Sequence, residues 1–293
     1  MSRVPATVLV LCAIISVQFG AGVARTQFEA VGPFGATFLR LVFAAIILGV
    51  IVRPRVTSWS ARAWLAAVVL GVALAGMNTM IYLAFESVPL GVAVTVEFLG
   101  PLALALAQTR RLVDAGWAML ALAGVVVLGI PDGGDAGSLG VAGLLFAGLA
   151  GIFWALYILA SARVGRSIPG IGGLAVALAI AAVLSAPLGA PAAVAAAGDP
   201  GVIFVFVAVA VLSSVLPYAC EMEALRRLPT RVFGVLSSLG PAAAAIAGLV
   251  VLGQTLGWRE IVALTLVTIA SAGVTVARNR SISASRRPVL DVN

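Results

Sequence analysis

Residues 91–107 read GVAVTVEFLGPLALALA, and Glu97 is the single ionisable group in a stretch otherwise suited to the middle of a lipid bilayer. A charge at that depth costs about 2.5–3.5 kcal/mol even on the lenient insertion scale, so it needs a task or a partner. Pro101 follows four residues later. Having no N–H, it leaves the carbonyl of residue 97 without its usual helical donor. One residue therefore carries an ionisable side chain and a freed backbone acceptor, which suits it to hold an ammonium group or a transported proton.

Arg40 is the other charge inside an apolar stretch. At 1.5 Å per residue, Arg40 and Glu97 both fall about 10 Å below the outer boundary of their segments. Two readings follow. The pair could be a buried ion bridge fixing two helices, or Glu97 could bind substrate while Arg40 is structural. Further polar candidates are Asn78, Thr79 and Tyr82 in one segment, and Pro217, Tyr218, Glu221 and Glu223 in another. Arg226 and Arg227 follow that second group closely, so interfacial salt bridging competes with substrate contact there. Gln18 and Trp154 are lone candidates in two other segments.

The chain has no histidine, and all 18 basic residues are arginine. Without lysine there is no Walker A motif to drive ATP-powered pumping, and no Schiff base. Without histidine, a Ser-His intramembrane protease and the usual zinc sites drop out. A lipid-modifying enzyme would lack its base in the same way. No cofactor, metal or enzymatic activity is expected. Cys12 and Cys220, isolated in apolar stretches, read as packing residues.

These groups must be positioned by helices in lipid. Of the 293 residues, 62% are hydrophobic and 10% charged, against roughly 25% charged in soluble domains. The mean hydropathy is +1.17. Ten apolar segments of spanning length run at about 6–24, 34–52, 63–84, 90–109, 112–130, 138–160, 168–188, 201–222, 232–252 and 258–277. With the N-terminus in the cytoplasm, alternate loops place Arg3, Arg53, Arg55, Arg62, Arg110, Arg111, Arg163, Arg166, Arg226, Arg227, Arg231 and the tail arginines inside. Only Arg25 and Arg259 fall outside, beside Glu29, Glu86, Asp132, Asp135 and Asp199. This one-sided pattern supports the ten-span count. It also explains the +7 charge by membrane orientation, with the lipid bilayer rather than nucleic acid as partner. Residues 1–24 loosely resemble a signal peptide. Removing them would break the alternation, so they read as a retained first helix. The polar, basic tail 278–293 reads as a disordered cytoplasmic end.

The opening stretch has a copy 140 residues downstream, RVFGVLSSLGPAAAAIA at 231–247. Gly100-Pro101 matches Gly240-Pro241, and Pro89 matches Pro229. After a slip of one residue, Gly116-Trp117 matches Gly257-Trp258. In this copy Pro241 frees the carbonyl of Ser237, with Ser238 beside it, so both serines join the candidate site. Each half, 1–131 and 138–277, holds five spans. An odd number inserts the second half upside down, the inverted repeat of many secondary transporters. The expected fold is thus an all-α polytopic membrane protein of ten transmembrane helices in two inverted five-helix repeats, with Pro101 and Pro241 as kinks.

SVQFGAGVARTQFEAVGPFGATFLRL (16–41), GMNTMIYLAFESVPLGVAVTVEFLGPLALAL (76–106) and LPYACEMEALRRLPTRVFGVLSSLGP (216–241) resemble the RhtA-type threonine/homoserine exporters of the EamA branch of the drug/metabolite transporters. The resemblance runs over most of the chain. It implies a basket of helices around a central cavity and export of small neutral amino acids across a bacterial inner membrane. Asn78, Tyr82, Glu97, Pro101, Tyr218 and Glu221 fall on matching motif positions. Arg40 matches the family's second-helix arginine, a structural residue on that reading. The combined expectation is alternating access, proton coupling, and Glu97 as the ammonium or proton group. Asn78, Tyr82, Tyr218 and Ser237 would be neutral contacts. Export of another metabolite or drug on this scaffold, or a passive channel, are the competing readings.

Overall fold

The computed structural model describes residues 4–107, 112–128, 140–168, 170–227 and 236–285. Arg3, Arg110, Arg111, Asp132, Asp135, the loop 228–231 and tail residues 286–293 lie outside the described residues. The helices are α1 (Ala6–Arg25), α2 (Phe28–Val52), α3 (Ala61–Ser87), α4 (Leu90–Glu97), α5 (Leu99–Ala107) and α6 (Leu112–Leu128). They continue as α7 (Val141–Ser167), α8 (Gly172–Ala195), α9 (Pro200–Ala210), α10 (Leu216–Arg227), α11 (Gly240–Leu252) and α12 (Trp258–Ser285). Among the described residues no strand occurs.

Six helical stretches among the described residues are long and apolar enough to cross a bilayer: Ala6–Arg25, Phe28–Val52, Ala61–Ser87, Val141–Ser167, Gly172–Gly198 and Pro200–Tyr218. Shorter apolar helices, including Leu90–Leu104 and Gly240–Leu252, stand beside them. Large apolar side chains face outward, such as Val183 and Phe204 at 71% and 74% exposed. The tightest interior positions are mostly alanine, among them Ala36, Ala93, Ala147, Ala181 and Ala247. An outer surface like this would aggregate in water but is matched to lipid, where small residues let helices approach. The chain is a multi-pass membrane protein.

Local chemistry sets the helix ends. Asp199 accepts from the N–H groups of Gly201 and Val202 at 2.7 and 3.4 Å, with Pro200 in the first turn of α9. Asp199→Ala is expected to cost about 1 kcal/mol, lowering the melting temperature in detergent by about 2–4 °C. Helix α2 starts at Phe28, ahead of the expected residue 34, and bends at Gly32 (φ 61°). The following Pro33 disfavours helical backbone at residue 32, and glycine tolerates the left-handed alternative. The tail expected to be disordered continues α12 as far as Ser285. Its Arg, Ser and Ala residues permit helix, and no proline occurs before Pro288.

Two irregularities bear on the site. The fourth apolar segment breaks at Phe98, between α4 and α5. Pro101 therefore lies in the first turn of a new helix, where its missing N–H costs little, rather than at a mid-helix kink. The copy has the same form: residues 236–237 are helical, 238–239 form a turn, and Pro241 lies in the first turn of α11. The second irregularity is a π-helical turn, Val211–Val215, joining α9 to α10.

Candidate functional site

Polar residues from six helices and the π-turn line one cavity of about 170 Å³. Asn78 and Tyr82 project from one face of α3, four residues apart, and both are buried. The Asn78 side chain donates to the Leu74 carbonyl of its own helix at 2.7 Å. Thr37 of α2 donates to the Asn78 backbone carbonyl at 3.4 Å, tying α2 to α3. Arg40, one turn further along α2, then reaches two acceptors: the Tyr82 hydroxyl at 3.3 Å through Nη1 and the Ser213 carbonyl at 2.9 Å through Nη2.

The π-turn explains why that carbonyl is available. Its wider hydrogen-bond spacing disturbs the ordinary α-helical pairing, and side chains from neighbouring helices take up its acceptors. Ser16 of α1 donates to the Leu212 carbonyl at 2.6 Å, and Arg40 takes the Ser213 carbonyl. Glu97 closes the last turn of α4 and is 8% exposed. No hydrogen bond or salt bridge to its carboxylate occurs among the described residues. It shares the cavity with Arg40, whose charge acts on it across that space.

The backbone carbonyl of Glu97 has a definite neighbour. A Cβ built on Gly151 of α7 would lie 2.7 Å from that oxygen, and one on Gly100 would collide with the Gly151 carbonyl. The two backbones touch because neither residue has a side chain. One turn beyond Gly151, Trp154 enters the cavity and meets Phe98 edge-on, ring centroids 4.7 Å apart. Tyr157 follows on the same helix. Ser161, Tyr157 and Tyr218 lie near one another, with Glu221 close enough for its charge to act on both tyrosines.

Near Tyr82, aromatic rings pack against one another. Phe28 and Phe85 sit 5.6 and 5.8 Å from the Tyr82 ring, and Arg25 donates to the Phe85 carbonyl at 2.7 Å while lying over Phe28. Phe28, Tyr82 and Phe85 are all buried, whereas Tyr157, Tyr218 and Glu221 are half-buried.

The cavity thus gathers Gln18, Arg40, Asn78, Tyr82, Glu97, Trp154, Tyr218 and Glu221. It does not include Ser237 or Ser238. Ser237 is half-buried, and Ser238 is buried and hydrogen-bonded to Ser271 of α12 at 3.1 Å. Thr79 faces a separate small cavity beside Phe34 and Ser185. Tyr157 and Ser213 line the site without having been picked out by sequence. Tyr157 lies three residues after Trp154, a helical spacing that could have found it. Nothing in the hydropathy marks the π-turn that presents Ser213.

Comparison with known proteins adds the family. Residues 141–276 match the model of the EamA-like transporter family. The chain is 41% identical over 98% of its length to the threonine/homoserine exporter RhtA of Escherichia coli strain K12, covering 95% of that protein. It is equally identical to RhtA of Salmonella typhimurium strain LT2, over 93% of this chain and 92% of the relative. A crystal structure 23% identical in sequence superposes with a TM-score of 0.60, covering 94% of this chain and 98% of its own, and shares the fold.

Proposed function

Since the chain belongs to the EamA-like transporter family, we propose that it is a secondary exporter of small neutral amino acids, threonine and homoserine first among them. The observation that carries this reading is a carboxylate and a guanidinium, both more than nine-tenths buried, facing one cavity of about 170 Å³. Drug-sized ligands occupy pockets of roughly 300–1,000 Å³, so this space favours a small zwitterion. Glu97 receives the ammonium group. Asn78, Tyr82, Tyr218, Gln18 and Trp154 shape the remainder, and Glu221 stands at the less buried end. Ser237 and Ser238 stand away from the lining in this conformation and carry no contact in this proposal.

The proposed architecture is ten spans, counting α4–α5 and α9–α10 as one broken span each. They form two inverted repeats, 1–131 and 138–277. The packing supports it. Shifting every span by five maps the α3–α7 contact onto α10–α1, α3–α8 onto α9–α2, and α1–α11 onto α7–α4. The α2–α8, α4–α11 and α6–α12 contacts map onto themselves. Both termini, with the tail from 278, lie in the cytoplasm of a bacterial cell, as the arginine distribution favours. With that orientation Tyr82 and its aromatic neighbours lie toward the outer side and Glu221 toward the cytoplasm, the side from which substrate would load.

Inward proton flow drives export in this scheme, since the chain has no nucleotide-binding motif and places a carboxylate in the cavity. Purified protein in liposomes preloaded with labelled homoserine should release it saturably and faster when the receiving side is acidic. Equal rates with and without the gradient would remove proton coupling. Absence of saturation would favour a channel, and faster movement of dyes or nucleosides than of homoserine would reassign the substrate.

A further inference from the structure

The export reading uses Glu97 and leaves two buried polar atoms of the same cavity without any partner among the described residues: Nε of Arg40 and Oγ of Ser213. The residues are 7% and 2% exposed. A guanidinium so deeply placed needs its N–H groups satisfied, because an unpaired buried charged donor carries most of its desolvation cost. Two of its nitrogens are held, by the Tyr82 hydroxyl and the Ser213 carbonyl. Those bonds fix the plane of the fork and leave the Nε edge unmatched. The Ser213 hydroxyl belongs to the residue whose carbonyl holds Arg40, and it rests against Gly20 of α1.

A guanidinium held through two nitrogens with its third unmatched, in the same lining as an unpartnered hydroxyl, suits recognition of a carboxylate. We infer that Arg40, with Ser213, forms the carboxylate subsite of the cavity, opposite the ammonium subsite at Glu97. The inference rests on the export reading and deepens it. An α-amino acid lying between the two would neutralise both buried charges at once, each by its opposite end. Reversing the molecule would set carboxylate against carboxylate and ammonium against guanidinium. The site therefore selects a zwitterion in one orientation, and a simple amine or a simple acid satisfies only half of it. Tyr82 acts as a positioning residue, since it touches Arg40 and holds the fork.

The test compares threonine with threoninol, the same molecule with its carboxylate replaced by a hydroxymethyl group, in liposomes containing the full chain. In the wild type, threoninol should compete with threonine roughly 10- to 100-fold more weakly than unlabelled threonine does, the range expected for losing hydrogen bonds to a charged group. Arg40→Lys keeps the charge and loses the fork, and Ser213→Ala removes only the hydroxyl. Each should raise the KM for threonine while leaving the inhibition constant of threoninol where it was. If Arg40→Lys does not fold, Ser213→Ala and the wild-type comparison still decide. Equal binding of the two compounds by the wild type, or an equal shift for both in the variants, would overturn the carboxylate subsite. No movement of threonine or homoserine by the wild type would instead overturn the export reading.

Discussion

Replacing Glu97 by glutamine should cut export of threonine and homoserine by on the order of 100-fold, with the protein still present in the membrane. The substitution preserves shape and removes only charge. Hydrogen bonds to charged groups contribute about 1.5–3 kcal/mol, and the ammonium would lose this one. The change also leaves Arg40 as an uncompensated cation in a largely buried cavity, which adds to the loss. Glu97→Asp retains the charge on a shorter arm and should recover part of the activity. Efflux from preloaded liposomes, normalised to the amount of protein, measures both. Wild-type rates from the glutamine variant would end the central role given to this carboxylate.

The largest effect on the fold should come from Gly100→Val or Gly151→Val. At each position the obstacle to a new Cβ is backbone of the other helix, the Gly151 carbonyl group in one case and the Glu97 carbonyl in the other. A flexible side chain could move aside, but a main-chain carbonyl at the contact of α7 with α4 and α5 cannot do so without parting the helices. Overpacking typically costs 1–3 kcal/mol, and a backbone obstacle should put these variants at about 3 kcal/mol or above. Thermal unfolding in detergent should show a loss of folded, monodisperse protein. Gly148, on the same helix α7, has nothing within 4 Å of a built Cβ. Gly148→Ala should therefore unfold at or above the wild-type temperature, and equal damage from all three changes would remove the argument from close approach.

Much of the site was legible because a polar residue in an apolar segment is itself a signal. Glu97, Arg40, Asn78, Tyr82, Gln18 and Glu221 stand out against their neighbours, and the structure gathers them around one cavity. Depth along a helix could be counted, which put Arg40 and Glu97 at a similar level. Rotation about the helix axis could not. The guanidinium turns instead to Tyr82 and to a carbonyl contributed from a distant part of the chain. Ser213 was invisible for a related reason: a serine among valines and leucines reads as ordinary packing, and the π-turn that presents it depends on neighbours. Ser237 and Ser238 were reached through the 140-residue offset, which assumes that equivalent positions share surroundings. The lining is unequal, and Ser238 faces α12 instead. The breaks at Phe98 and at 238–239 each precede a Gly-Pro pair, whose proline fits the first turn of a helix.

Under the proposed inverted-repeat arrangement, the contacts α2–α8, α4–α11 and α6–α12 map onto themselves. Contacts that map onto themselves under a two-fold operation are what an isologous interface between two identical subunits contains. Other contacts pair across the proposed axis, α3–α7 with α1–α10 and α4–α7 with α1–α11. On the proposed architecture, a single five-helix polypeptide inserted in both orientations would meet, as an antiparallel homodimer, these same helix neighbours found here within one chain. Fusion of two such genes would make the pairing obligatory. It would also free each half to diverge, so that a carboxylate could be kept at Glu97 while its counterpart became Ser237.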